Sequence, residues 1–212
     1  TYKYFYEGAE PISGLSRERY HSDNVYPQND KDIIATGASG FGMMGTIVAI
    51  ERKFITREQG YQHLKKGIDF LAKADRFHGV WAHWMYPSGK AKPFSKGDDA
   101  GDLVETSFLA QALVTLRQYY INGNAEEKAL AQKADELWKG IDWNFYRKNN
   151  ENVLYWHWSP TVGWKMNFAI TGYNECLITY VMAACSPTHG VPAEVYHQGW
   201  AKSGKINTNI SM

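Results

Sequence analysis

Three helix starts recur at one interval, and that interval constrains the fold more than any other feature of the chain. Thr56-Arg57-Glu58-Gln59 and Asn124-Ala125-Glu126-Glu127 each pair a capping side chain with a Glu or Gln three residues later. That arrangement satisfies two orphan N–H groups at a helix N-terminus. Pro192-Ala193-Glu194 puts a proline where a helix begins. The steps from Thr56 to Asn124 and from Asn124 to Pro192 are both 68 positions. A fixed period of this kind marks an internal repeat.

Each marked helix follows another after a short connection. The preceding helices are expected at roughly 38–53, 103–121 and 173–185. Phe41–Ile50 and Leu177–Ala184 are apolar nearly all round, as a helix buried on every side must be. Arg57–Asp75 and Ala125–Asp142 instead mix apolar and charged residues at helical spacing, as one-sided surface helices do. Each repeat is therefore an inner helix, a tight turn, an outer helix and a long loop. The expected class is all-α, an (α/α)6 toroid of helical hairpins. Six hairpins of this period need about 400 residues, so residues 1–212 supply about half. We expect one toroid domain over 1–212, incomplete at its C-terminus, with a missing C-terminal half or a second chain completing the ring.

Formal net charge is +1, from 23 basic and 22 acidic residues, without a run of like charges. That balance argues against a general nucleic-acid or membrane-surface binder. No segment is apolar for long enough to span a bilayer. The chain opens on Thr1-Tyr2-Lys3-Tyr4 without a signal segment, which reads as a trimmed or mature chain and leaves export open. Cys176 and Cys185 would sit on one helix about 13 Å apart, too far for a disulfide, and read as small buried apolar residues.

All the long loops precede inner helices and so gather at one end of the bundle. Sites are commonly built on such loops. The loop before the second inner helix ends in Lys96-Gly97-Asp98-Asp99-Ala100-Gly101-Asp102-Leu103-Val104-Glu105. Crowded carboxylates raise one another's pKa, the condition for an acid that works near neutral pH. A carboxyl pair is what glycosidic cleavage requires: one protonates the leaving oxygen, the other activates water or attacks. Asp102 and Glu105 also fit a plain N-cap with its reciprocal partner. Glu175, between apolar neighbours, faces the interior or the funnel, or is held by a basic residue. Trp81, Trp84, Trp156, Trp158 and Trp164 are stacking platforms or loop anchors. His83 and His157 suit hydrogen bonds to sugar hydroxyls or loop packing, as does His78. Arg17 and Arg19 hold loop carboxylates, reach substrate or are ordinary surface arginines, and Arg76 is a substrate contact. The histidines match no metal-ligand spacing, and we expect no metal and no cofactor. Gly37-Ala38-Ser39-Gly40-Phe41-Gly42 lacks the Lys-Ser/Thr of a phosphate loop and reads as small residues for close helix packing.

Taken together, Pro11–Leu15, Thr36–Gly42, Phe54–Gln59, Ala74–Gly79, Asp98–Thr106, Tyr155–Pro160 and Tyr173–Leu177 resemble the bacterial glucoamylase-like family. That family includes endo-β-1,2-glucanases and the C-terminal domains of cyclic β-1,2-glucan synthases. The resemblance covers nearly the whole chain, and its specificity lies in the joint order of the motifs. It implies an (α/α)6 toroid acting on glucans, often with inversion, and export in many Gram-negative members. It also implies that Asp98, Asp102, Glu105 and Glu175 match acidic residues that matter in the glucanases. Catalytic domains of the family run beyond Met212 and carry further acidic site residues there.

The expected function is hydrolysis of β-1,2-glucan by an endo-acting, inverting enzyme in the periplasm or outside the cell. Glu105 or Glu175 is the expected general acid, with Asp98 and Asp102 positioning water or the partner carboxyl. The expected substrate contacts are Trp81, His83, Trp84, Trp156, His157, Trp158, Arg76 and Arg17. The alternative is a glycan-binding or inactive half-barrel. A polysaccharide lyase is disfavoured, because the loops carry more acid than base.

Overall fold

The computed structural model describes residues 2–206, and within them the helices form two layers. A short α1 (Tyr2–Tyr6) precedes the inner helices α2 (Thr36–Glu51), α4 (Leu103–Tyr120) and α6 (Leu177–Cys185). The outer helices are α3 (Arg57–Leu71) and α5 (Ala125–Lys139). A short helical stretch with a π-helical segment, Val195–Trp200, occupies the third outer position. Inner helices pack side by side, α2 on α4 and α4 on α6, and α3 packs on α5 behind them. The result is an arc of hairpins.

The local chemistry explains the boundaries. Both capping boxes form: Thr56 accepts from the Gln59 N–H and Asn124 from the Glu127 N–H, and each partner side chain reaches back to its cap. α6 starts at Leu177, four residues later than expected, because Asn174 accepts from the Cys176 N–H and holds residues 174–176 in a turn. Cys176 is buried, whereas Cys185 is exposed at the end of α6, and both are free thiols.

The repeat period reappears in the contacts. Tyr119 donates to Glu51, 68 positions away, at 2.5 Å, and the Gly37 N–H donates to Glu105 across the same interval at 2.8 Å. Equivalent positions on successive hairpins are thus neighbours in space. Close packing of α2 on α4 rests on Gly40, where a Cβ would lie 2.3 Å from the Phe108 carbonyl oxygen.

The long loops are stitched together by very short strands. β1 (Ile34–Ala35) pairs antiparallel with β2 (Trp84–Met85), which pairs with β3 (Ala91–Lys92). β4 (Gly101–Asp102) pairs with β5 (His157–Trp158), setting Asp102 opposite His157. Trp81, Trp143, Tyr146, Leu103, Leu109 and Leu113 are fully buried and fill the space under these loops and between the helix layers. Among the described residues, no helix is long and apolar enough to cross a membrane.

Candidate active site

The acidic loop and the aromatic loops converge at the N-terminal ends of α2 and α4. Asp102 caps α4: its Oδ1 accepts from the Val104 N–H at 3.0 Å and the Glu105 N–H at 2.9 Å. Its Oδ2 lies 2.9 Å from His83 Nδ1 and 3.8 Å from His157 Nε2. Asp102 is wholly buried, and both its oxygens are engaged. Asp98, four residues earlier, is also buried, and its Oδ2 lies 3.2 Å from His157 Nε2. Asp98 Oδ1 and His157 Nδ1 are buried without a protein partner. Unpaired polar atoms are costly in an interior, so their place beside a groove marks capacity for a ligand or a water.

Glu105 does not return to the Asp102 N–H as a reciprocal cap would. Its Oε2 accepts instead from Gly37 N at 2.8 Å, at the start of α2. α2 needs that acceptor, because its own N-cap residue is Ala35, without a capping side chain. Burial pushes the Glu105 pKa up, and the nearby Asp102 carboxylate adds to the rise; His83 and the Gly37 N–H oppose it. For His83, burial favours the neutral ring, but the hydrogen bond to Asp102 and the surrounding carboxylates outweigh it and raise the pKa.

A groove of about 310 Å³ opens over this floor, lined by His83, Phe94, Ser95, Asp98, Trp156, His157, Met166 and Phe168. Its size matches a small-ligand site. Phe94 lies 4.2 Å from His83 ring to ring, and Phe168 meets Trp156 edge-on at 5.4 Å. Aromatic walls over a polar, acidic floor suit a sugar ring, which presents apolar C–H faces and hydroxyl edges.

The structure therefore gathers Asp98, Asp102, Glu105, His83, His157 and Trp156 at one place. Other expected contacts fall elsewhere. Trp81 is fully buried, donates its indole N–H to the Leu71 carbonyl and carries Arg76 stacked at 4.2 Å, so it offers no face to a ligand. Arg76 is spent on the Gly79 and Leu137 carbonyls. Arg17 is spent on Asp32 and the Gly8 and Ala9 carbonyls, and Arg19 pairs with Glu18 and Asp30. Trp84 has Lys92 over its ring at 4.3 Å and packs on Phe94. Trp158 is wedged edge-on against His78 and Phe145, and Trp164 packs on Phe145, Tyr146 and Tyr155. His78 stacks on Phe145 at 3.4 Å, a packing role. Glu175 is exposed on the turn before α6, and among the described residues no basic group pairs with it. Its apolar neighbours misled: Cys176 turns inward, while Tyr173 and Leu177 turn out with Glu175.

Sequence reasoning missed Phe94, Ser95, Met166 and Phe168. Each is isolated in a loop without periodicity, and only the folded loops bring them together. His83, Asp98 and Asp102 place one nitrogen and two carboxylate oxygens within 4.8 Å of one another. His83 and Asp102 are joined by a hydrogen bond, and Asp98 approaches them through His157 Nε2.

Comparison with known proteins fits this geometry. A Glycoamylase family model matches residues 167–212. The chain is 47% identical over 204 residues to an exo β-1,2-glucooligosaccharide sophorohydrolase (non-reducing end) of Parabacteroides distasonis, covering 95% of this chain and 27% of that one. It superposes on an endo-β-1,2-glucanase from Chitinophaga pinensis, solved with sophorotriose and glucose, with a TM-score of 0.97 at 59% identity. That match covers 100% of this chain and 50% of the other. A β-1,2-glucanase structure from Parabacteroides distasonis matches with a TM-score of 0.88 at 46% identity, over 94% of this chain and 28% of that one. The chain thus spans half or less of the length of these relatives. Over that span it is similar in sequence and in helical fold to glucoamylase-like and β-1,2-glucanase proteins.

Proposed function

We propose that this chain forms the acid-bearing half of a glycoside hydrolase that cleaves β-1,2-linked glucan. The observation that carries the reading is the floor of the groove, where Asp98, Asp102, His83 and His157 are interlinked beneath aromatic walls and beside Glu105. The printed activities of the relatives support the linkage.

In this reading Glu105 is the general acid. Burial and Asp102 favour its protonated form, and it passes that proton to the glycosidic oxygen as the C–O bond breaks. Asp98, with one oxygen on His157 and one unpaired, orients the water that attacks the anomeric carbon, and the partner carboxyl accepts the proton released. Asp102 reacts with nothing directly. It fixes the start of α4, and with it Glu105, and it holds His83. Inversion requires a carboxyl pair about 6.5–9.5 Å apart. Asp98 and Asp102 bring oxygens within 4.8 Å and cannot be that pair, which supports a partner acid from outside this chain. We place that acid on further hairpins completing a six-hairpin ring, either from the same polypeptide or from a second chain. Residues 1–212 then act as one domain with them. Endo attack and a periplasmic or secreted setting, where a glucan polymer is met, complete the proposal.

A second reading, a glycan-binding half-toroid without catalysis, is favoured by one observation: Asp98 and Asp102 are tied to histidines, and Glu175 lies on an exposed turn. Initial rates on linear β-1,2-glucan separate the two. Glu105→Gln in the full-length protein should lower turnover at least about a hundredfold. Turnover that survives Glu105→Gln but falls with Glu175→Gln moves the acid to Glu175. Glucan binding without any product establishes the binding reading.

A further inference from the structure

We infer that Gly37 is a positioning residue for Glu105: its N–H anchors one carboxylate oxygen, and its missing side chain leaves the seat that carboxylate occupies. This rests on the reading of Glu105 as the reacting acid. Gly37 is the second residue of α2 and stands 68 positions before Glu105, the repeat interval. The hairpin repeat therefore puts a glycine where the neighbouring inner helix carries its acid. The contact between them joins equivalent positions of adjacent repeats.

Local chemistry gives no other reason for glycine here. Gly37 is helical and does not have a positive φ. In an ordinary helix alanine is preferred over glycine. What opposes alanine is Glu105. An added Cβ would lie 2.5 Å from its Oε2 and 3.0 Å from its Cδ, and 3.2 Å from the Phe108 ring. Gly40, one turn on, differs: its close neighbour is the backbone of Phe108, so its role is helix packing. First-turn N–H groups of a helix have no partner within it, and Ala35 supplies none. Glu105 fills that need. Its Oε1 makes no hydrogen bond among the described residues, which leaves that oxygen for a substrate in the hydrolase reading.

The test is a double-mutant cycle in the full-length protein, read by thermal melting and by initial rates. Gly37→Ala should lower Tm in the wild-type background. In a Glu105→Ala background the two closest obstacles are gone and only the Phe108 ring at 3.2 Å must give, so the same change should raise Tm by about 1–4 °C, as helix propensity dictates. Turnover should fall at least about tenfold in Gly37→Ala with KM little changed, because the acid is displaced and the groove is not. Gly37→Ala should add nothing to the rate loss of Glu105→Ala. Equal destabilisation in both backgrounds would make Gly37 a packing residue and overturn the inference, as would unchanged turnover in Gly37→Ala. Because melting is independent of activity, the Tm sign reversal alone decides the seat if the wild-type protein proves inactive on glucan. That inactivity would instead bring down the hydrolase reading.

Discussion

Two glutamates that look alike in the sequence differ once folded. Glu105 is half-buried with a raised pKa, whereas Glu175 is exposed. A raised folded-state pKa means that the group favours folding below its unfolded pKa and loses that contribution as pH rises through the folded value. Glu105→Gln should therefore raise Tm at neutral pH while turnover falls, and the gain should vanish in acid, where wild-type Glu105 is already protonated. Melting both proteins across the pH range checks the sign; a Tm loss at neutral pH would mean that ionised Glu105 is a net stabiliser. His63 works the other way. Burial and the neighbouring Lys66 lower its pKa to about 4, so its contribution is present above the unfolded value near 6.5 and is lost as pH falls towards 4. The tryptophans divide similarly. Trp81→Ala removes a fully buried side chain and should cost about 3–5 kcal/mol in urea unfolding. Trp156→Ala, in the groove wall, should mainly raise KM.

At the scale of elements, helix ends carry both stability and site geometry. Asn124→Ala removes a cap from an outer helix far from the groove and should cost about 1 kcal/mol without changing KM. Asp102 has two jobs that substitution separates. Asn retains an oxygen for the α4 cap but no charge for His83, whereas Ala loses both. Urea unfolding should therefore rank Asp102→Ala as less stable than Asp102→Asn, and both should impair turnover. The hairpins were legible in the sequence because caps and apolar periodicity are local signals. Thr56 and Asn124 announced their helices within four residues. The acidic loop was legible as a cluster, and His83 and His157 as its neighbours. What stayed hidden was non-local. Whether Trp81 faces the core or the groove depends on the strand pairing of loops, and the acceptor of Glu105 lies in another repeat. Gly37 read as a packing residue because its partner lies 68 positions away.

For the whole molecule, the inner helices carry apolar residues on faces that nothing in the described chain covers. Phe41 and Val48 of α2 are 48% and 56% exposed, and Leu177 and Val181 of α6 are 41% and 45% exposed. If further hairpins cover these stripes, the 212-residue segment alone should bind a hydrophobic dye strongly, and the same segment joined to those hairpins should not. Equal dye binding by both would argue against closure. Relatives more than 45% identical whose chains are two to four times as long make closure the simplest account of that surface. The central claim, that this arc carries the acid of a β-1,2-glucan hydrolase, is tested most directly by incubating the full-length protein and its Glu105→Gln variant with linear β-1,2-glucan and separating the products by size. The account predicts a ladder of short oligosaccharides from the wild type and intact polymer from the variant. Intact polymer from the wild type, or an undiminished ladder from Glu105→Gln, would contradict it.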